Sequence, residues 1–360
     1  MFGKMMNNFY YGKSGKGDFS REDLPQNRFQ LFWAMLRIRF TGLCKLNLIA
    51  VIAFVPLIFV IVTTASTFLS GVSMQMELSE IVSNAGVTLA DSGEEALAAY
   101  KQAGIDALIA AERTEEEATL WSSLCTPELL RTFIYQLLSN LVLFAIPCIL
   151  ITGPVEAGLA YVTRNWARDE HAFVWSDFKD AVKANWKQSM VISAITSVLP
   201  FIVYICWTFY GQQSQNNALF IVPQMLVLVL GIIWMLSLVY AYFLIVTYKA
   251  SMLDIIRNAL LLGVGRLPQS VGVCLLHLLP AAIVILLLLF TSVGYYAFML
   301  IILYYILFGI AFARFINASV SNAFFDKYIN SHIAGAKINQ GLRSDEDDYD
   351  TVEDENDTEA

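Results

Sequence analysis

Charge is the first thing this chain has little of. Lys, Arg, Asp and Glu together make only 15% of its 360 residues, where soluble domains carry about 25%. Histidine is scarcer still: His171, His277 and His332 are the whole supply. They form no HExxH pair, and three scattered imidazoles do not assemble the usual zinc or protease sites. No Gly-x-Ser-x-Gly elbow is present. The five cysteines, Cys44, Cys125, Cys148, Cys206 and Cys274, fit no CxxC or zinc-ribbon spacing. Two glycine-rich or acidic runs invite motif readings and fail them. Gly12 to Gly17 is followed by Asp18-Phe19 rather than the Lys-Ser/Thr of a phosphate loop, and no apolar strand precedes it. Asp345-Glu346-Asp347-Asp348 lacks the glycine and closing glutamate of a calcium loop. These absences leave no catalytic residue set, no metal ligand set and no cofactor motif, so an enzyme is not expected.

What fills the space is hydrocarbon. The chain is 57% hydrophobic, with a mean hydropathy of +0.58. A bilayer core of about 30 Å needs roughly 20 apolar residues per helix. Six stretches qualify: Leu46–Thr67, Thr132–Thr152, Met190–Tyr210, Leu219–Thr247, Ser270–Ser292 and Tyr295–Ile316. None alternates with period two, which argues for helices over a barrel. The first follows a long polar and basic stretch and reads as a signal anchor rather than a cleaved leader. The expected fold is all-α, a polytopic bundle of six transmembrane helices in the cell membrane.

Marking those spans exposes an asymmetry. Segments 1–45, 154–189, 248–268 and the region from Arg314 onward hold 8, 5, 3 and 4 of the Lys and Arg residues, 20 of the 23. The other side has only Lys101, Arg113 and Arg131. Cytoplasmic loops retain positive charge, so both termini are expected in the cytosol. The net charge of −8 comes from eleven acids in 68–130 and ten in the last seventeen residues. The basic residues near the spans suit anionic lipid headgroups rather than nucleic acid. The same topology places Cys125 and Cys206 toward one face, and leaves open whether they pair.

The chain then divides as follows. Residues 1–45 form a cytoplasmic arm and an interfacial amphipathic helix, with Phe29, Phe32, Trp33, Leu36, Phe40 and Leu43 at helical spacing. Residues 46–67 are the first span. Residues 68–130 are an acidic extracytoplasmic insertion with one or two short helices over Ser92–Thr119. Residues 131–317 hold the other five spans, 318–343 a juxtamembrane helix, and 344–360 an acidic tail whose composition predicts disorder.

Candidate sites follow from where polarity is costly. Gln136, Asn140, Gln224 and His277 fall inside spans, where ionisable and polar groups either knit helices or line a cavity. His277 lies about 13 Å along the helix from Pro268, and a bond to a neighbouring helix is expected of it. Gly153-Pro154-Val155-Glu156-Ala157-Gly158 should kink the second span, because Pro154 lacks a backbone donor. That break falls at the inner interface, where Glu156 reaches water or Arg164. Segment 154–189 is the densest in chemistry: Arg164, Arg168, Glu170, His171, Trp175, Asp177, Phe178, Asn185 and Trp186. Asp177 is placed to cap the helix that follows. Either these residues anchor and fold the loop among headgroups, or they dock a partner.

The run GPVEAGLAYVTRNWARDEHAFVWSDFKDAVKANWKQS, residues 153–189, resembles the YesL family of bacterial membrane proteins. FYYGKSGKGDFSREDLPQNR near the start and NAFFDKYIN after the last span are similar to extended members of Gram-positive anaerobes. The 68–130 insertion departs from short members, which join the first two spans tightly. The resemblance implies an integral membrane protein linked to carbohydrate utilisation and ABC-type sugar importers, and supplies no agreed catalytic set. The functional expectation is an accessory component of carbohydrate uptake that touches an importer's permease or ATPase through cytoplasmic loops. Two alternatives stand beside it: an independent small-solute transporter with Gln136, Asn140, Gln224 and His277 facing a cavity, or a regulatory or scaffolding membrane protein without transport.

Overall fold

The computed structural model describes residues 24–89, 93–291 and 293–343. The rejected phosphate loop and the acidic tail of residues 344–360 lie outside the described residues, as does most of the N-terminal arm. Helices account for nearly all of the rest, with no strand among the described residues. In chain order they are α1 (Arg28–Asn84), α2 (Glu94–Ala110), α3 (Glu115–Leu124), α4 (Pro127–Trp166) and α5 (Ser176–Asn216). There follow α6 (Ile221–Thr247), α7 (Met252–Gly265), α8 (Leu267–Phe290), α9 (Gly294–Tyr304) and α10 (Ile310–Tyr328), the last two joined by a π-turn over Tyr305–Gly309.

Six helical runs are long and apolar enough to cross a membrane, at α1, α4, α5, α6, α8 and α9–α10. Between 6% and 22% of their most apolar windows is buried inside the protein. The apolar surface therefore points outward, an arrangement that hydrocarbon accommodates and water does not. The all-helical, six-span fold is as expected.

Three elements run differently from the expectation. The amphipathic stretch before the first span and the 17 residues after it belong to one helix of 57 residues, α1. The helix expected to follow Asp177 is likewise the first part of a longer one, α5. The juxtamembrane helix of 318–343 stops at Tyr328. Beyond it Gly335, Asn339 and Gly341 take positive φ, and the segment closes short backbone turns while two of its backbone groups, the Lys337 carbonyl and the Asn339 N–H, meet the side chains of Arg168 and Asp326.

The chain forms two compact units. One comprises Ile52–Gly153 and Met190–Trp234. Within it the 68–130 insertion folds as α2 and α3 against the end of α1, around a core of Leu78, Val82, Leu108, Ala118 and Trp121. The Trp121 ring occupies the space where a side chain on Gly104 would sit, since a Cβ there would lie 2.2 Å from it. Its Nε1 donates to Ser79 Oγ at 3.2 Å. Thr114 and Glu117 close a capping box at the start of α3. Cys125 and Cys206 are both free thiols, and burial pushes the Cys125 thiol up from its ordinary range.

The other unit holds the residues up to Val51, Pro154–Ser189 and those from Met235 onward. Its centre is the last part of α4, where Ala157, Leu159, Ala160, Val162, Thr163 and Trp166 are all buried. Gly158 permits close packing there, because a Cβ would stand 2.6 Å from the Phe178 ring. A second device sits at the π-turn. Widening a helix by one residue leaves backbone groups out of register, and a fully buried side chain of α1 collects them. Asn47 Nδ2 donates to the carbonyls of Tyr305 at 3.0 Å and Ile306 at 2.7 Å, and Oδ1 accepts from the Ala311 N–H at 2.9 Å.

Asn47→Leu strands two carbonyls and one N–H, each costing about 1–3 kcal/mol when buried without a partner. The expected outcome is a thermal midpoint in detergent lowered by roughly 5 °C or more. An unchanged midpoint contradicts the role assigned to Asn47.

Candidate functional site

Segment 154–189 starts inside α4, and its first charge is buried. Glu156, 4% exposed, accepts a two-pronged ion pair from the Nε and Nη2 of Arg314 on α10. Its partner is thus Arg314, rather than the Arg164 or water expected from sequence order. A guanidinium matches a carboxylate edge to edge, which is the geometry that offsets desolvation best. His277 of α8 lies close by: its ring bonds the backbone of Ala313, and its Nε2 is buried with no protein partner.

The kink expected at Gly153-Pro154 is absorbed within a continuous helix. Pro154 has no N–H to give the carbonyl of Leu150. That carbonyl accepts instead from Ser193 Oγ of α5 at 3.1 Å.

Further along, the cationic residues are used internally. Arg164 donates to the Val246 carbonyl at 3.3 Å and Thr247 Oγ1 at 3.4 Å, and pairs with Glu170 at 3.6 Å. Arg168 is buried; it donates to the Lys337 carbonyl at 3.0 Å and Gln340 Oε1 at 2.8 Å, and pairs with Glu170 at 3.4 Å. The turn that follows α4 uses Asp169 in the left-handed region, with φ 57°, a common helix ending.

The segment after α10 is held by a hub that sequence reasoning missed. Asp326, 3% exposed, forms an ion pair with Arg28 and accepts from Asn330 Nδ2 at 2.6 Å and the Asn339 N–H at 3.1 Å. Tyr248 donates its hydroxyl to Asn330 Oδ1 at 2.7 Å; burial first, then the Asp326 carboxylate, pushes this phenol above its ordinary range. Asn322 donates to the carbonyl of Arg164 at 3.1 Å. The signal was present: Asn322, Asp326 and Asn330 recur every four residues within NAFFDKYIN, along one face of a helix.

The proposed docking residues therefore divide. Arg164 and Arg168 are occupied, Phe178 is buried against Gly158, and Asn185 bonds the Ala181 carbonyl of its own helix at 2.9 Å. Asp177 does not cap α5; it accepts the N–H of Phe173 at 2.9 Å and so fastens the loop ahead of the helix. What remains exposed is His171, with its ring edge-on to Phe173 at 4.5 Å, together with Trp175 and Trp186. Phe173, Trp175 and Trp186 are 63%, 60% and 47% exposed. Lys183 and Lys187 are exposed on the same helix turns, and the Lys187 ammonium sits 5.7 Å from the Trp186 ring.

In the other unit Gln136 Nε2 donates to Asn140 Oδ1 at 3.2 Å, one turn apart on α4. Gln224 is buried and lines a cavity of about 520 Å³. Gln136 and Asn140 do not line that cavity, and His277 belongs to the other unit. The four polar span residues thus share no cavity within either unit. Among the described residues no cluster of three His, Cys, Asp or Glu side chains is placed to hold a metal ion.

Removing one member of the Glu156–Arg314 pair leaves its partner charged and dry. Glu156→Gln and Arg314→Met are each expected to cost about 3–5 kcal/mol. The double variant Glu156→Leu/Arg314→Met recovers most of that loss. Thermal unfolding in one detergent measures all three, and a double variant as unstable as the sum of the singles contradicts the pairing.

A family model described as "Protein of unknown function, DUF624" matches residues 133–207, the stretch that spans most of α4 and α5 and the loop between them. No curated protein and no solved structure matches the chain.

Proposed function

We propose that this chain is a YesL-type protein of the cell membrane, with both termini in the cytosol. It acts as an accessory component of carbohydrate uptake, and it touches an importer's permease or ATPase through segment 154–189. The observation that carries this reading is the division within that segment. Its arginines and Glu170 are consumed in holding the fold, while Phe173, Trp175 and Trp186 remain exposed beside Lys183, Lys187 and His171. Aromatic side chains on a rigid frame with cations at the rim make the kind of surface that supplies most of a protein contact's energy. Two exposed tryptophans, Trp175 just ahead of α5 and Trp186 on it, have no other use for their apolar faces unless headgroups receive them.

The carbohydrate link comes from the resemblance of residues 153–189 to the YesL family. It accords with a chain that carries no ATP-binding motif and so needs a partner for energy. The orientation rests on the distribution of Lys and Arg, 20 of 23 on one side of the six spans.

Two measurements test the reading. Reporter fusions after Ala360 and within 93–124 should label opposite faces, with the C-terminal one in the cytosol; the reverse result sinks the topology. Tagged protein extracted in mild detergent should retain a sugar importer's permease or ATPase, and Trp175→Ala/Trp186→Ala should release it by about tenfold or more. Retention of no importer subunit, or equal retention by the variant, counts against the docking role.

A further inference from the structure

One feature of the unit built from Ile52–Gly153 and Met190–Trp234 is unlike the hydrocarbon around it. Where the second span begins, the third ends and the fourth begins, the helices border a half-open cavity of about 520 Å³. That volume is within the ordinary range of small-molecule sites, roughly 300–1,000 Å³. Its lining contains no Leu, Ile or Val and no carboxylate. Aromatic rings, amides, two threonines, a glycine and one guanidinium make the wall instead.

Some of these groups are spent on shaping the cavity. Tyr204 donates its hydroxyl to the Tyr135 carbonyl at 3.3 Å, which ties α5 to α4. Gln224 Nε2 donates to the Trp207 carbonyl at 3.3 Å, which ties α6 to α5. Gly211 leaves room for that amide, since a Cβ there would stand 3.0 Å from Gln224 Nε2. The rest are unspent. Arg131, the Trp207 indole N–H, Gln212 and Gln215 make no hydrogen bond or ion pair to any described residue. A guanidinium, an indole and two amides that the fold does not consume are grouped around one cavity, with Arg131, Gln212 and Gln215 at its exposed rim and Trp207 half-buried.

Their chemistry selects the ligand class. An apolar molecule finds no aliphatic wall. A zwitterion finds no carboxylate for its ammonium, and a multiply charged nucleotide finds a single cation. A sugar ring fits on every count: its C–H face lies on Trp and Tyr rings, its hydroxyls both give and accept, as amides do, and one acidic substituent answers one arginine. We propose that this cavity binds a sugar bearing one acidic group, with Trp207 as the platform, Gln212 and Gln215 on the hydroxyls, and Arg131 on the carboxylate or phosphate. The proposal stands apart from the docking surface. It needs no partner protein, so loss of the importer contact leaves it intact, and its own failure leaves that contact intact.

The test uses full-length protein in phosphatidylcholine nanodiscs, with cooperative melting confirmed for every variant. Calorimetric titration compares glucuronate, glucose 6-phosphate, glucose and glycerol 3-phosphate. Saturable binding of glucuronate or glucose 6-phosphate, about tenfold or more tighter than glucose, supports the site. The stronger of those two identifies the acidic group. Arg131→Gln is expected to erase the advantage over glucose, and Trp207→Ala to weaken every sugar about tenfold. Arg131, Gln212 and Gln215 are exposed, so Arg131→Gln and Gln212→Ala/Gln215→Ala should leave the melting unchanged. Glycerol 3-phosphate binding as tightly as glucose 6-phosphate assigns the cavity to a lipid headgroup and overturns the proposal. So does the absence of sugar binding, or sugar binding that survives both the Arg131 and the Trp207 substitutions.

Discussion

Hydrocarbon offers no hydrogen bonds, so polar groups within the spans depend on partners inside the protein. That constraint explains the most specific side chains of this molecule. Asn47 uses all of its amide on the three backbone groups freed by the π-turn of the last span. Ser193 takes the carbonyl that Pro154 abandons. Arg314 neutralises and bonds Glu156 in one planar contact. Each is a polar residue whose place is dictated by a defect in a helical ladder or by a charge that water cannot reach.

The same requirement reassigns the charged residues of segment 154–189. Read along the chain, Arg164, Arg168 and Asp177 look like groups held out toward a partner. In the fold they are spent on internal bonds, and with Asp326 they fasten the segment after α10 and the loop ahead of α5. Rigidity of this kind matters for recognition, because a surface that is already ordered loses less entropy on contact. The exposed aromatic residues of the segment stand on that frame, and they carry the functional proposal in place of the charges.

Polarity in the other unit has a different character. There the ties between helices, Tyr204 to Tyr135 and Gln224 to Trp207, leave a cavity with donors in excess of what the fold consumes. Gln224 was visible in the sequence as a polar residue in a span. Its companions were not, because Arg131, Trp207, Gln212 and Gln215 lie at span ends, where such residues are ordinary interfacial anchors.

Composition and periodicity by themselves determined the solvent, the number of spans and the helical class, since these depend on local hydrophobicity summed over about 20 residues. They also pointed to short helices within the 68–130 insertion, which the fold places at Glu94–Ala110 and Glu115–Leu124. Tertiary structure alone decided which polar groups meet. Glu156 and Arg314 are 158 residues apart, Asn47 and Ala311 264, and Arg28 and Asp326 298. No local pattern encodes a pairing across such distances; it exists only once the helices have packed and brought the two groups within reach.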